Sequence, residues 1–297
     1  MDRWPPLPLD AWSDTRETLH RWAQIVGKIQ LALTPTVNHW WNVPLQITAR
    51  GFGTELLPHG DRVLDLELDF FDDVLRLRVS DGAVRTIALA DSVSSFYAET
   101  MAMLHAAGVD VHISPIPVEI ADRTPFDRDS RHAYDKTYVL RFWRIASEVT
   151  AVLTKFRAGF IGKSSPVQFY WGHLDLSLSR FSGRRASYQT ADPIEREAYS
   201  HELFSVGWWA GDSRFPRPAF YAYAAPEPPG FATTAIRTDR CYYHPPLHCF
   251  QLDYDDVRTA PDPEALILDF CDATYAAAAE LGHWDRAELE RAMRGAA

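Results

Sequence analysis

Two stretches of the chain resemble each other and decide how the fold is organised. Residues 19–52 read LHRWAQIVGKIQLALTPTVNHWWNVPLQITARGF, and residues 140–181 read LRFWRIASEVTAVLTKFRAGFIGKSSPVQFYWGHLDLSLSRF. Each has the pattern of an amphipathic helix that carries a tryptophan, Trp22 or Trp143, followed by an extended run that begins with Pro-x-Gln. The nearly constant spacing of these features predicts an internal duplication, with one copy in each half of the chain.

A duplicated α+β unit normally packs its two copies about a pseudo-two-fold axis. The crevice between the copies, or a pocket kept open in only one of them, is therefore the first place to expect a ligand. No motif that is diagnostic of one catalysed reaction accompanies the repeat.

The composition is typical of a globular protein and argues against several classes of function. The chain has 297 residues and a formal net charge of −10, so it lacks the basic surface of a sequence-independent nucleic-acid binder. No apolar run is long enough to span a membrane, and residues 1–12 lack the apolar core of a signal peptide. Three cysteines cannot form an all-disulfide framework, so we expect a cytoplasmic protein.

Periodicity predicts helices and strands in both halves. The predicted helices cover residues 13–33, 91–107, 131–157 and 262–281. The predicted strands cover residues 64–70, 75–79, 109–113, 166–182, 198–209, 218–225 and 247–252. A polar, proline-bearing segment, residues 114–130, separates the two halves. We therefore predict an α+β fold with two related halves, residues 1–125 and 126–297, each an antiparallel sheet with packed helices, together forming one compact unit.

Four stretches resemble the signature sequences of a known family. They read FWRI, FIGKSSPVQFYWGHLDLSLSRFSGRR, EAYSHE and PAFYAYAAPEPPGF. With them the chain resembles the uncharacterised bacterial family of domains of unknown function numbered 5996, over nearly its whole length. The resemblance implies no activity, substrate or cofactor.

The segment 163–185 is the richest in polar side chains. In an extended run residues two apart share a face, so we expect Trp171, His173 and Asp175 on one side of the strand. Tyr170 then lies on the other side. A carboxylate beside an imidazole raises its basicity and fixes its tautomer, as a general base or a metal ligand requires. The same alternation is also typical of a strand face that simply meets water.

Arg180 and Arg184 lie near a Ser182-Gly183 turn in the same segment. Guanidinium groups beside such a turn can hold a carboxylate or phosphate through paired hydrogen bonds, which predicts an anion clamp. A solvated basic loop that balances an acidic protein is the alternative.

A second polar stretch, Tyr199-Ser200-His201-Glu202, supplies the candidate acid/base group. His201 with Glu202, or with Asp175 from a neighbouring strand, suits proton transfer, and Tyr199 shares the strand face of His201. A structural histidine with one satisfied hydrogen bond is the alternative for His201.

Residues 38–42 (NHWWN) occupy the equivalent junction in the first half. His39 could hydrogen-bond a substrate and Trp41 could line a pocket, or both could stabilise the helix-to-strand turn. If the halves pack face to face, this junction and Lys163 approach one crevice. Tyr221, on a predicted strand, would add an aromatic wall with a polar tip.

The stretch 241–249 (CYYHPPLHC) contains two cysteines and two histidines. All four lie within nine residues around two prolines, whereas structural zinc sites usually take ligands from two separated knuckles, so we predict no zinc there.

Three hypotheses for the function follow. The leading one is a cytoplasmic small-molecule enzyme or ligand-binding protein with an aromatic-lined pocket, the His/acid pair and the Arg anion clamp. The second is a metal-dependent enzyme with His201, Glu202 and either His173 or His39 as ligands. The third is a non-enzymatic interaction protein with exposed aromatic residues. The sequence defines neither a substrate nor a cofactor.

Overall fold

Two antiparallel sheets of six strands each form the frame of the molecule. The computed structural model describes residues 2–89, 91–186, 190–238 and 240–291. Within them, the first sheet contains β1 (Gln46–Ile47), β2 (Gly51–Gly53), β3 (Leu57–His59), β4 (Arg62–Asp69), β5 (Val74–Val79) and β6 (Val84–Ala88). The second sheet contains β7 (Gln168–Tyr170), β8 (Asp175–Arg185), β9 (His201–Trp209), β10 (Ala219–Ala225), β11 (Cys241–His244) and β12 (Cys249–Asp253).

The helices pack against these sheets, so the fold is α+β as predicted. In the described residues they are α1 (Ser13–Leu33), α2 (Val93–Ala106), α3 (Lys136–Ala158), α4 (Pro193–Ala198), α5 (Tyr254–Arg258), α6 (Pro263–Leu281) and α7 (Arg286–Leu289). None of these helices has the length and apolar character that crossing a membrane requires.

Five strands of each sheet follow the chain in the same order, and the sixth strand is added at a different point in each sheet. The first runs β1-β2-β4-β5-β6 with β3 added beside β4, and the second runs β7-β8-β9-β10-β12 with β11 added beside β12. A long helix, α1 or α3, precedes each sheet. This partial match in the order of elements agrees with the predicted duplication, which stays a prediction.

The repeated Pro-x-Gln motifs bring the two sheets together. The backbone groups of Leu45 and Phe169 exchange hydrogen bonds of 2.9 and 3.1 Å across an antiparallel bridge. Continuing this register by one residue places Gln46 opposite Gln168, the two glutamines of the repeat. The edges of the sheets thus meet at equivalent positions of the two copies.

A single large apolar core extends through both halves. The stacked rings of Phe52 and Phe169, with centroids 4.3 Å apart, join the two sheets, and Phe142 of α3 packs on Trp208 at 5.6 Å. The predicted division between residues 125 and 126 falls between α2 and α3 and stays a prediction.

The segment between α2 and α3, here called the connector, contains no strand in the described residues. The prediction of a strand at residues 109–113 is therefore wrong. Val109 donates its backbone N–H to the Leu104 carbonyl and so completes the end of α2. The backbone of Ser114 and Val118, further along the connector, instead bonds to the side chains of Lys28 and Gln24 of α1.

Candidate functional site

A tight hairpin replaces the predicted long strand of the second half. β7 ends at Tyr170, a turn follows in which Leu174 has a left-handed backbone (φ 55°), and β8 begins at Asp175. Tyr170 and Asp175 are cross-strand partners, so both side chains lie on one face. The prediction that Trp171 and His173 share a strand face with Asp175 is therefore wrong, because both lie in the turn.

One face of the second sheet carries polar and aromatic side chains. Across its strands it presents Asp175, Ser177 and Ser179 on β8, Ser205 and Gly207 on β9, and Tyr221 and Tyr223 on β10. The hydroxyl oxygens of Ser177 and Ser205 lie 2.9 Å apart. The opposite face is apolar and packs against α3 and α6, so the polar face is the one left for a ligand.

Asp175 and Tyr221 form the closest polar pair on this face. The Tyr221 hydroxyl donates to Asp175 Oδ2 at 2.6 Å and lies 3.0 Å from the Leu176 carbonyl oxygen. It reaches this position across Gly207, where a Cβ atom would come within 2.5 Å of the phenol oxygen. Burial raises the pKa of Asp175 above its usual value and raises the pKa of Tyr221 as well. The Asp175 carboxylate is thus a proton acceptor of increased basicity.

Further phenol groups extend this polar surface. The rings of Tyr221 and Tyr223 stack with centroids 6.2 Å apart, and the Tyr223 hydroxyl lies 3.3 Å from that of Tyr199. The Tyr170 hydroxyl donates to Gln168 Oε1 at 3.2 Å. The face therefore offers both aromatic surface and hydrogen-bonding groups to a ligand.

The roof over this face comes from the first half of the chain. Gln24 of α1 donates to the Val118 carbonyl at 2.8 Å and accepts from the Val118 N–H at 2.9 Å. Lys28 donates to the carbonyl oxygens of Ser114, at 3.0 Å, and of Ile116. Burial lowers the pKa of Lys28 to about 8. These contacts hold the connector along α1, beside the polar face.

His39 and Trp41 close one end of the roof and meet Lys163 of the second half. His39 Nδ1 donates to the Ala198 carbonyl at 3.0 Å, so its Nε2 accepts from Lys163 Nζ at 2.7 Å. The Lys163 ammonium lies 5.3 Å from the ring centre of Trp41 and 5.0 Å from that of Phe181. The 38–42 junction and Lys163 are therefore in direct contact beside the polar face.

Floor and roof enclose a cavity of about 630 Å³, which suits a small organic molecule. The sequence-predicted residues that line it are His39, Trp41, Tyr170, Trp171, His173, Asp175, Tyr199 and Tyr221. Lys163 is not itself in the lining, but its ammonium contacts the lining rings of Trp41 and Phe181. The other predicted residues, Arg180, Arg184, His201 and Glu202, are placed elsewhere.

Contacts from α1 and the β1 edge hold the hairpin turn in place. Trp171 Nε1 donates to the Val43 carbonyl at 2.8 Å, and its indole packs so closely on Gly27 that a Cβ there would lie 2.2 Å from the ring. His20 Nε2 donates to the Gly172 carbonyl at 2.9 Å. Burial lowers the pKa of His20 to about 3, which keeps the imidazole neutral.

His173 finds its carboxylate partner in the connector and not on its own strand. Its Nδ1 lies 2.9 Å from Glu119 Oε2. This hydrogen bond raises the pKa of His173 and lowers that of Glu119, which favours the charged form of both groups. The expected pairing of His173 with Asp175 is replaced by a contact that joins roof and floor.

Arg180 lies on the apolar face of the second sheet, away from the cavity. Its guanidinium carbon is 3.4 Å from the ring centre of Phe156 and 4.4 Å from that of Tyr275, and it donates to the Phe156 carbonyl. The period of two along β8 puts its side chain with Leu176 and Leu178 under α3 and α6. It therefore takes no part in an anion clamp at the cavity.

Arg184 and Glu202 are bound to each other outside the cavity. Arg184 Nε donates to Glu202 Oε2 at 2.8 Å, and the same guanidinium donates to the carbonyls of His283, at 2.9 Å, and of Gly282. Arg184 thus satisfies carbonyls at the end of α6, which is a structural role. The predicted clamp and the predicted acid/base pair of His201 with Glu202 are not the arrangements found.

His201 lies near the cavity but does not line it. Its ring centre is 5.6 Å from that of His39, and its Nδ1 is 3.1 Å from the Ser200 hydroxyl. Burial and the nearby cations of Lys163 and Arg185 lower its pKa. His201 and Glu202 are consecutive in β9, so their side chains lie on opposite faces of the sheet. Glu202 is therefore not the acid partner of His201.

The ligands expected for a metal do not come together. His173 pairs with Glu119, His39 with Lys163, and Glu202 with Arg184. Among the residues that the structure describes, no group of three His, Cys, Asp or Glu side chains could hold a metal ion. The side chains present therefore do not fit the metal hypothesis.

Sequence reasoning missed Lys28, Glu119 and Trp40 in the cavity wall. A signal for Lys28 exists, because Arg21, Gln24 and Lys28 recur at spacings of three and four along α1. Such a polar row ordinarily faces water, whereas here all three side chains are buried.

One comparison with known proteins places the chain in a family. No curated protein and no solved structure matches it. A family model described as a family of unknown function, DUF5996, matches residues 4–291. Because this match covers nearly the whole sequence, the chain belongs to the DUF5996 family.

Proposed function

We propose that the protein binds a small organic molecule in the cavity between the connector and the polar face of the second sheet. The observation that carries the proposal is the placement of Asp175 at the cavity floor, where Tyr221 donates to one oxygen at 2.6 Å. A carboxyl group with a raised pKa in a concave aromatic site is typical of groups that exchange a proton with a ligand. We assign this role to Asp175, with Tyr221 positioning it.

The walls define the ligand as a ring-bearing molecule with hydrogen-bonding substituents. Trp40, Trp41 and Trp171 supply flat apolar surface, and the serines and tyrosines of the floor supply hydroxyl groups. Pockets of this size and mixed character are the usual binding sites of small molecules.

The compartment and the partners are part of the same proposal. All three cysteines are free thiols, as is usual in a reducing cytoplasm, and the net charge of −10 does not suit nucleic acid. The interaction-protein alternative has less support, because Phe71 is the only aromatic among the exposed large apolar side chains in the described ranges.

A matched pair of side chains makes the proposal testable. Tyr134, just before α3, donates at 2.7 Å to Oδ1 of Asp73, just before β5 of the first sheet, and neither residue lines the cavity. Asp175→Asn and Tyr221→Phe change the cavity pair, whereas Asp73→Asn and Tyr134→Phe make the same chemical changes elsewhere.

The experiment is a ligand-observed NMR screen of small aromatic amines, amides, phenols and carboxylic acids against the wild type and the four variants. We expect compounds that bind the wild type to lose about tenfold or more in affinity with Asp175→Asn, since a hydrogen bond to a charged group is worth about 1.5–3 kcal/mol. The control variants should bind as the wild type does. If the affinity of bound compounds falls equally with substitutions in both pairs, or with substitutions in neither, the proposal is contradicted.

A further inference from the structure

The lysines of this chain divide into two pairs. The sequence contains only four, Lys28, Lys136, Lys155 and Lys163. Lys136 pairs with a carboxylate at 2.6 Å, and Lys155 also pairs with one. Within the described ranges, Lys28 and Lys163 form no ion pair with any carboxylate, although acidic residues outnumber basic ones in the chain. Lys28 lines the cavity, and Lys163 lies beside it, where its ammonium contacts three lining residues, His39, Trp41 and Phe181.

More positive charge accompanies Lys163. Arg185 is the cross-strand partner of His201, and neither forms an ion pair with a carboxylate in the part of the chain that the structure describes. Burial lowers the pKa of His39, and the nearby Glu197 forms no ion pair with Lys163 among the described residues. Lys163 and Arg185 both lie near His201, so two cationic groups lie beside the aromatic walls at this end of the cavity.

Negatively charged side chains predominate where the cavity floor meets the hairpin turn. Asp175 lies there with Tyr221 as donor, and Glu119 is balanced by His173. An anionic group is repelled by Asp175 and attracted by Lys163, so the two ends of the cavity favour different parts of one ligand.

We infer that the ligand of this cavity carries an anionic oxygen group, a carboxylate or a phosphate, which is held at the end where Lys163 contacts His39, Trp41 and Phe181. The inference rests on the proposed function and adds the chemical class of the ligand. Lys163 uses one N–H on His39 and retains others for the anion. Lys28 adds positive potential from the roof. The hydrogen-bond donor of the ligand faces Asp175.

The test compares matched probes by isothermal titration calorimetry. Benzoate and phenyl phosphate carry the two kinds of anion, and benzamide is a neutral analogue of benzoate. We expect at least one anion to bind about tenfold tighter than benzamide, with an affinity that falls when salt is added, since the attraction is between charges. The anion that binds more tightly shows whether the oxygen group of the ligand is a carboxylate or a phosphate.

Three variants separate this inference from the proposed function. Lys163→Met should lower the affinity for the anion about tenfold and leave the affinity for benzamide unchanged. Lys136→Met changes a lysine remote from the cavity and should alter neither affinity. If Asp175→Asn lowers the affinity for the probes and Lys163→Met does not, the proposed function stands and the inference of an anionic ligand is overturned. Probes that respond to neither variant, or a failure of both anions to bind at millimolar concentration, would overturn the inference as well.

Discussion

The two sheets have five strands in the same order, but their polar faces carry different kinds of side chain. On the first sheet ion pairs fill the face: Arg78 pairs with Asp65 at 2.5 Å and with Glu67, and Arg76 pairs with Asp69 at 3.0 Å. On the second sheet the corresponding face carries serines, tyrosines, a glycine and one carboxylate. The first face is closed by its own side chains, and the second remains open as a cavity floor.

The two sheets therefore contribute differently to the cavity, because only the second provides its floor. The first half provides α1, the 38–42 junction and the connector, which roof the sheet of the second half. Because the roof and the floor come from different halves, neither half contains the cavity by itself. The asymmetry between the copies therefore marks the candidate site more clearly than any single motif does.

The largest effect is expected where roof and floor touch most closely. Gly27→Ala places a Cβ within 2.2 Å of the Trp171 indole, so the ring must move. We expect the free energy of unfolding to fall by about 1–3 kcal/mol, as for overpacked cores. Urea denaturation measures the change. Such a loss would show that the turn depends on α1 of the other half.

A double-mutant cycle controls for an effect of alanine on the helix itself. Trp171→Ala removes the clashing ring, so adding Gly27→Ala to it should cost nothing or stabilise the helix. If Gly27→Ala destabilises the protein equally in both backgrounds, the close packing of Gly27 on Trp171 is not the cause.

A pH-dependent effect of intermediate size is expected from His20. The pKa of this buried imidazole is lowered from 6.5 to about 3, so below pH 6.5 the unfolded chain binds a proton that the folded chain excludes. Stability should therefore fall with decreasing pH, by up to about 1.4 kcal/mol per pH unit from this group. His20→Gln retains a donor for Gly172 and removes the titration. Urea midpoints at pH 7 and pH 5 should differ less in this variant, and equal differences would refute the assignment.

The smallest effect is expected on the first sheet. Arg78 is 41% exposed, so its ion pairs are screened by solvent and salt. Arg78→Met should lower the free energy of unfolding by about 1 kcal/mol or less and leave ligand binding at the cavity unchanged. Changed binding in this variant, measured with the NMR screen, would mean that the two faces are coupled.

Much of the fold could be predicted from local patterns. The alternation at 64–70 and 75–79 identified β4 and β5, and periodicity identified α1, α3 and α6. The hairpin at Tyr170–Asp175 was missed, because a tight turn at Leu174 interrupts an alternation that continues on both sides of it. Its left-handed residue is a leucine, which carries no turn signal.

The candidate site was predictable only in part, for a related reason. His39, Tyr170, Asp175 and Tyr221 lie on strands or junctions whose polarity is visible locally. The hydrogen-bond partners of the α1 side chains cannot be identified from the local sequence. Lys28, for example, binds backbone carbonyls of residues 86 and 88 positions away, and a carbonyl has no signature in the sequence.

The most direct test of the account is a crystallographic fragment screen, because it samples both sheet faces in one experiment. The account predicts that bound fragments occupy the cavity, with a polar atom within hydrogen-bond distance of Asp175 or Tyr221, and leave the ion-paired face of the first sheet bare. Fragments that bind in solution and yet occupy the first sheet, or any surface other than the cavity, would contradict it.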